Sequence, residues 1–168
     1  MRGRPPLAPV VALLGVGLPT APARADVAGR VGVAALASPR AQGGALLAEA
    51  GWGLGALELG PSVGVAMLTA EGEADTRAVM PLGAVLGWEH RGARWVTGAR
   101  ARAGLWSGAL HEGLRAGPFG GAELGAGLRV ADKAALSVGA GAWWLGGPRA
   151  TWVGTLLLSV GWWPAPGG

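Results

Sequence analysis

Apolar residues alternate with small or polar ones along eight segments of roughly ten residues. The pattern predicts an all-β chain, an eight-stranded antiparallel up-and-down transmembrane β-barrel. Three further features agree. Nine tryptophans and no tyrosine stand almost entirely at segment ends, where an amphipathic indole seeks the boundary between lipid tails and water. Thirty-three glycines oppose long helices, since each interior Gly costs about 1 kcal/mol relative to Ala. Only 14% of the chain is charged, against about 25% in soluble domains, too little polar surface for a water-facing exterior.

The chain opens with the marks of a secretory signal. Arg2 and Arg4 form a basic start, 7–18 is an apolar stretch too short to cross a bilayer, and Ala23-Arg24-Ala25 is a small-x-small cleavage site. The expected division is therefore a cleaved signal at 1–25 and a barrel domain at 26–168, with Asp26 first in the mature chain. An uncleaved anchor helix is the competing reading, opposed by Pro9, Gly15, Gly17 and Pro19. Without Arg2, Arg4 and Arg24, eleven basic residues face ten acidic ones. No charge block has the character of a nucleic-acid footprint, so no nucleic-acid partner is expected. No cysteine is present, which excludes disulfides, thiolate metal sites and a Cys nucleophile.

Strands are expected at 27–36, 44–55, 57–68, 78–88, 94–106, 119–130, 135–145 and 151–163. The connections 38–43, 69–77, 107–118 and 146–150 fall at one end, the outer one. A tight turn near Ala56, then 89–93 and 131–134, fall at the periplasmic end with both termini. The pleat is clearest in strand two, where Leu46, Ala48, Ala50, Trp52 and Leu54 oppose Ala45, Leu47, Glu49, Gly51 and Gly53. Strand three sets Leu57, Leu59, Val63, Val65 and Met67 against Glu58, Gly60, Ser62, Gly64 and Ala66. Strand four sets Met80, Leu82, Ala84, Leu86 and Trp88 against Gly83 and Gly87. In strand six Leu124, Ala126, Leu128 and Val130 oppose Glu123, Gly125, Gly127 and Arg129. Strand eight turns Trp152, Leu156, Leu158, Val160 and Trp162 away from Thr155, Ser159 and Gly161.

Side-chain chemistry decides which face is outside. A soluble periplasmic barrel would carry many Lys, Glu and Thr outward, but here the polar face is mostly Gly and the chain has one Lys. Small residues suit the narrow interior of an eight-stranded barrel. A helical hairpin over 134–163 is the remaining alternative, weakened by its glycines. The membrane-interface girdle is then Trp52, Trp88, Trp95 and Trp162 at the periplasmic end, with Trp144 and Trp152 at the outer end. Trp163 is expected beside Trp162. Trp106 and Trp143 are in phase with the inward face, where they would cap the lumen or sit above the bilayer.

The same parity turns Arg30, Glu49, Arg100, Arg102, Glu123 and Arg129 inward, with Glu58 near a periplasmic turn. An Arg on the lipid face at the bilayer midplane would cost roughly 2–4 kcal/mol. An interior salt-bridge network is the natural reading, and a polar conduit the functional alternative. His90 lies in the expected turn Glu89-His90-Arg91. Ser107, His111 and Glu112 are residue types of nucleophilic catalysis on the longest expected loop, but Glu112 adjoins His111 and no nucleophile motif surrounds Ser107. Glu71, Glu73 and Asp75 lack the spacing of a calcium-binding hand. No catalytic, cofactor-binding or metal residue is assigned, and no cofactor is expected.

In these features the chain resembles the small OmpA/OmpX-like outer-membrane β-barrels: a signal with Ala23-Arg24-Ala25, eight alternating strands, inward Arg and Glu, and Trp girdles. The resemblance is architectural and carries no functional residue. It implies the outer membrane of a Gram-negative-type bacterium, contact with outer-membrane lipids, and passage through the export and barrel-assembly machinery. It also implies a structural or surface-interaction role and not an enzyme, the alternatives being a small-solute pore or a lipid-modifying enzyme. Such barrels generally end on an aromatic residue; here Trp162-Trp163 is followed by Pro164-Ala165-Pro166-Gly167-Gly168, so an assembly signal would be internal.

The signal reading is tested directly. Protein recovered from the membrane fraction should give Asp26 as its first residue on N-terminal sequencing. A chain still beginning at Met1 would favour the anchor helix.

Overall fold

A computed structural model describes residues 26–70, 76–110, 113–147 and 150–163. The eight strands are β1 (Asp26–Ser38), β2 (Ala41–Leu54), β3 (Leu57–Ala70), β4 (Thr76–Arg91), β5 (Trp95–Leu110), β6 (Gly113–Ala131), β7 (Ala134–Leu145) and β8 (Thr151–Trp162). Each pairs antiparallel with its neighbour in sequence, and β1 pairs with β8, closing the sheet into a barrel. The fold is the expected eight-stranded transmembrane barrel. Among the described residues no helix is long and apolar enough to cross a membrane; the strands make the crossing.

Several strands run further than their sequence pattern suggested. The expected loop 107–118 is largely a hairpin, paired from Trp106↔Gly117 to Leu110↔Gly113. Gly and Ala carry no strand signature there, yet each β5 residue finds a β6 partner, and backbone pairing needs no particular side chain. The β6–β7 ladder starts only at Phe119↔Leu145, so this hairpin stands beyond the end of β7. The expected turn 89–93 is also mostly strand, with His90 opposite Thr97 and Arg91 opposite Val96. The expected signal at 1–25, the acidic residues Glu71, Glu73 and Asp75, and His111 with Glu112 lie outside the described residues.

Two prolines leave their mark on the ladders. A Pro has no N–H to give. The β2–β3 pairing passes from Glu49↔Ser62 to Trp52↔Leu59, omitting Pro61 and Gly60. The β3–β4 pairing passes from Val63↔Leu82 to Ala66↔Val79, omitting Pro81 and Met80. Register is kept across both gaps. The β2–β3 turn is closed by Gly55, whose φ of 68° suits a residue without Cβ.

The expected faces are the observed ones. Leu82 is 62% exposed and Leu124 70%, while Val153 is 1% and Ser159 2%. A monomer in water would not present such a belt of Leu, Val, Met and Trp on every strand; hydrocarbon covers it. The interior divides along the barrel axis. Leu36, Leu47, Leu68, Val79, Trp106, Phe119, Trp143, Leu145, Val153 and Leu157 belong to one apolar cluster toward the rim of the β1–β2, β3–β4, β5–β6 and β7–β8 connections. Ala28, Val96, Ala135 and Trp163 form a smaller one at the rim that holds Asp26 and Trp163. Arg30, Glu49, Arg100, Arg102 and Glu123 lie between the two.

The facing can be measured with single cysteines, since the chain has none of its own. Labels at Leu82, Leu124 and Leu158 should be quenched by a lipid-soluble quencher, and labels at Ala135 and Ser159 should not. Equal quenching at Leu158 and Ser159 would contradict the pleat.

Candidate functional site

The charged interior is built by strand parity: an inward position recurs every second residue, and the six strands β1 to β6 each place Arg or Glu there. Arg102 on β5 is its centre. Its side chain is fully enclosed; Nε donates to Glu49 Oε1 at 2.5 Å and Nη1 to Glu123 Oε2 at 3.1 Å. Arg30 on β1 reaches the other oxygen of Glu123 through Nη2 at 3.1 Å. Its Nε donates to Ser159 Oγ on β8 at 2.8 Å, so this one side chain ties the closing strands to β6.

A second set lies closer to the rim of the termini. Arg100 Nη2 donates to Glu58 Oε2 and Glu89 Oε2, each at 3.1 Å, and its Nε stands 3.6 Å from Glu49 Oε2. Arg91 completes the group, with Nε to Glu89 Oε1 at 2.7 Å and Nη2 to Glu58 Oε1. Four arginines and four glutamates are thus joined without net charge among the described residues. Every carboxylate pairs with at least two guanidiniums, a bridging that the several fixed N–H donors of Arg allow.

Of the six interior charges singled out from sequence, Arg30, Glu49, Arg100, Arg102 and Glu123 meet here. Arg129 does not. Its Nη1 donates to Gly92 O at 3.3 Å and Nη2 to Asp132 O at 2.8 Å, because its place at the end of β6 sets it beside turn carbonyls. Among the described residues Trp163 links it to the network, its ring lying 5.8 Å from the Arg129 guanidinium carbon and 4.8 Å from that of Arg91. Trp163 is correspondingly buried at 8%, an inward residue and not part of the lipid-facing girdle. Glu89 and Arg91 were missed because they were assigned to a turn. Carrying the two-residue period of Gly83 and Gly87 through Arg91 would have found both.

The girdle residues lie as follows. Trp52, Trp88, Trp95, Trp152 and Trp162 are 46–65% exposed on the outer face, and Trp144 shares that face, partly covered. Trp106 and Trp143 point inward at 9% and 2%. Trp106 Nε1 donates to Gly146 O at 2.8 Å, and Phe119 meets Trp143 edge-to-face at 5.5 Å between ring centroids. Ser107 alternates with Trp106 and so shares the outward face of β5. Among the described residues no group of three His, Cys, Asp or Glu could hold a metal ion. Chemically, the site is a set of mutually neutralised ions.

Neither a family model nor a curated protein sequence matches the chain. Solved structures do match in fold. Neisserial surface protein A superposes with a TM-score of 0.55 at 18% identity, over 81% of this chain and 93% of that one. The outer membrane protein OprG of Pseudomonas aeruginosa gives 0.57 at 11%, over 84% and 96%. The outer membrane protein Ail of Yersinia pestis, in a phospholipid bilayer nanodisc, gives 0.52 at 10%, over 83% and 99%. At these identities the likeness is one of fold: the chain has the architecture of small outer-membrane β-barrels.

Proposed function

We propose that this protein is an integral barrel of the outer membrane of a Gram-negative-type bacterium, with its lumen plugged by its own side chains and a structural or cell-surface interaction role. One observation carries the plug: the apolar layer of Trp106, Phe119 and Trp143 with its aliphatic neighbours, each of those rings 9% exposed or less, lies in series with the ion-pair layer. A conduit for solutes needs a continuous polar path, and a hydrocarbon layer across it is a barrier to ions. The usual arrangement of such barrels puts both termini in the periplasm. The β5–β6 hairpin, extending beyond β7, then faces the exterior, where it supports a role in surface contact.

Two measurements test this reading. In planar bilayers the folded protein should give no steady unitary conductance; a reproducible open level would replace the plug with a pore. The ion pairs should carry stability instead. Glu123→Ala takes from Arg30 the carboxylate it pairs with and from Arg102 one of its two, and breaking a buried pair in this way costs about 3–5 kcal/mol. Arg40→Ala, at an exposed turn position, should stay within about 0.5 kcal/mol. Removing Glu123 and Arg30 together should recover part of the loss. Urea midpoints in lipid vesicles read all four proteins. An unchanged midpoint for Glu123→Ala would leave the network without a structural role.

A further inference from the structure

We infer that one ordered water molecule is bound inside the charged layer, in the small cavity bounded by Arg30, Glu49, Glu58 and Arg100. That cavity leaves about 10 Å³ for a water molecule, close to the least that holds one. Size alone would equally suit a dry void. The wall chemistry decides otherwise. Glu49 Oε2 is buried and comes no nearer to Arg100 Nε than 3.6 Å, beyond hydrogen-bond range. Arg30 Nη1 is buried and makes no hydrogen bond within the protein. One needs a donor and the other an acceptor, and both side chains wall the same cavity. A water is the smallest molecule that supplies both at once, and buried waters characteristically serve such groups.

The glycines beside it point the same way. Gly51 and Gly87 both border the cavity. A Cβ on Gly51 would stand 3.6 Å from Glu58 Cβ, and one on Gly87 3.5 Å from Arg100 Cγ. Both are ordinary contacts, so no clash demands glycine at either position. The space they leave lies beside ionised groups, which have more to gain from a water than from a methyl.

This gives a test whose sign differs between the two possibilities. In a dry void, Gly51→Ala fills space and stiffens a strand, and the urea midpoint rises. If the cavity holds water, the new methyl displaces it, leaves Glu49 and Arg30 unmet, and the midpoint falls. Gly87→Ala should act alike, and both variants should keep the heat-modifiable gel mobility of a folded barrel. Magnetisation transfer from water to the Arg30 side chain, measured on the unmodified protein in detergent, reads the site without any substitution. The expected result is a long-lived water contact at Arg30 that Gly51→Ala abolishes. No such contact, or a raised midpoint, overturns the inference. Fast-exchanging water along the whole lumen would overturn it too, and would be the mark of a pore; an isolated long-lived water stands even where the surface role proposed above fails.

Discussion

In hydrocarbon a backbone N–H or C=O has no water to turn to, so every strand edge must meet another strand within the protein. Closure of β1 on β8 is therefore the condition for the rest, and this seam is fixed from both sides. Outside, Trp162 lies directly opposite Gly29, and its ring covers the place of the missing side chain: a Cβ there would fall 2.2 Å from the indole. Inside, Arg30 binds Ser159 across the same seam. A slip of one residue would turn Arg30 out to lipid and Trp162 into the lumen.

The narrow interior is filled by alternating large and small residues. A Cβ on Gly139 would lie 2.4 Å from Glu123 Oε1, one on Gly121 would be 2.9 Å from Trp143 Cδ1, and one on Gly117 would be 2.8 Å from Trp106 Nε1. These glycines are the room in which the large inward side chains lie. The mostly-glycine polar face is thus a packing partner for Arg, Glu and Trp. Eight strands give little more width than this.

Grouping the charges in one layer follows from the cost of burying them. Each ion loses water, and only several well-placed counter-charges offset that loss. Arg102, fully enclosed, has two carboxylates, and Glu123 has two guanidiniums. The apolar layer needs no such matching, and it occupies the half of the lumen into which Trp106 and Trp143 point. Arg91 stands at the boundary with the rim, shared between Glu58, Glu89 and the face of Trp163.

Period-two alternation was enough to determine strand number, topology class and the facing of nearly every residue, because a pleated strand has only two sides and lipid accepts only one kind of side chain. It also brought Arg30, Glu49, Arg100, Arg102 and Glu123 to one side of the sheet. Strand ends were less legible: stretches such as 107–110 and 113–117 owe their strand state to a partner's hydrogen bonds and not to their own side chains. Which charges meet was decided by the closed barrel alone. Height along the axis depends on the stagger between strands, a property of pairing that no single segment records. That stagger set Arg129 among turn carbonyls, drew Glu89 and Arg91 into the network, and turned Trp163 inward over them.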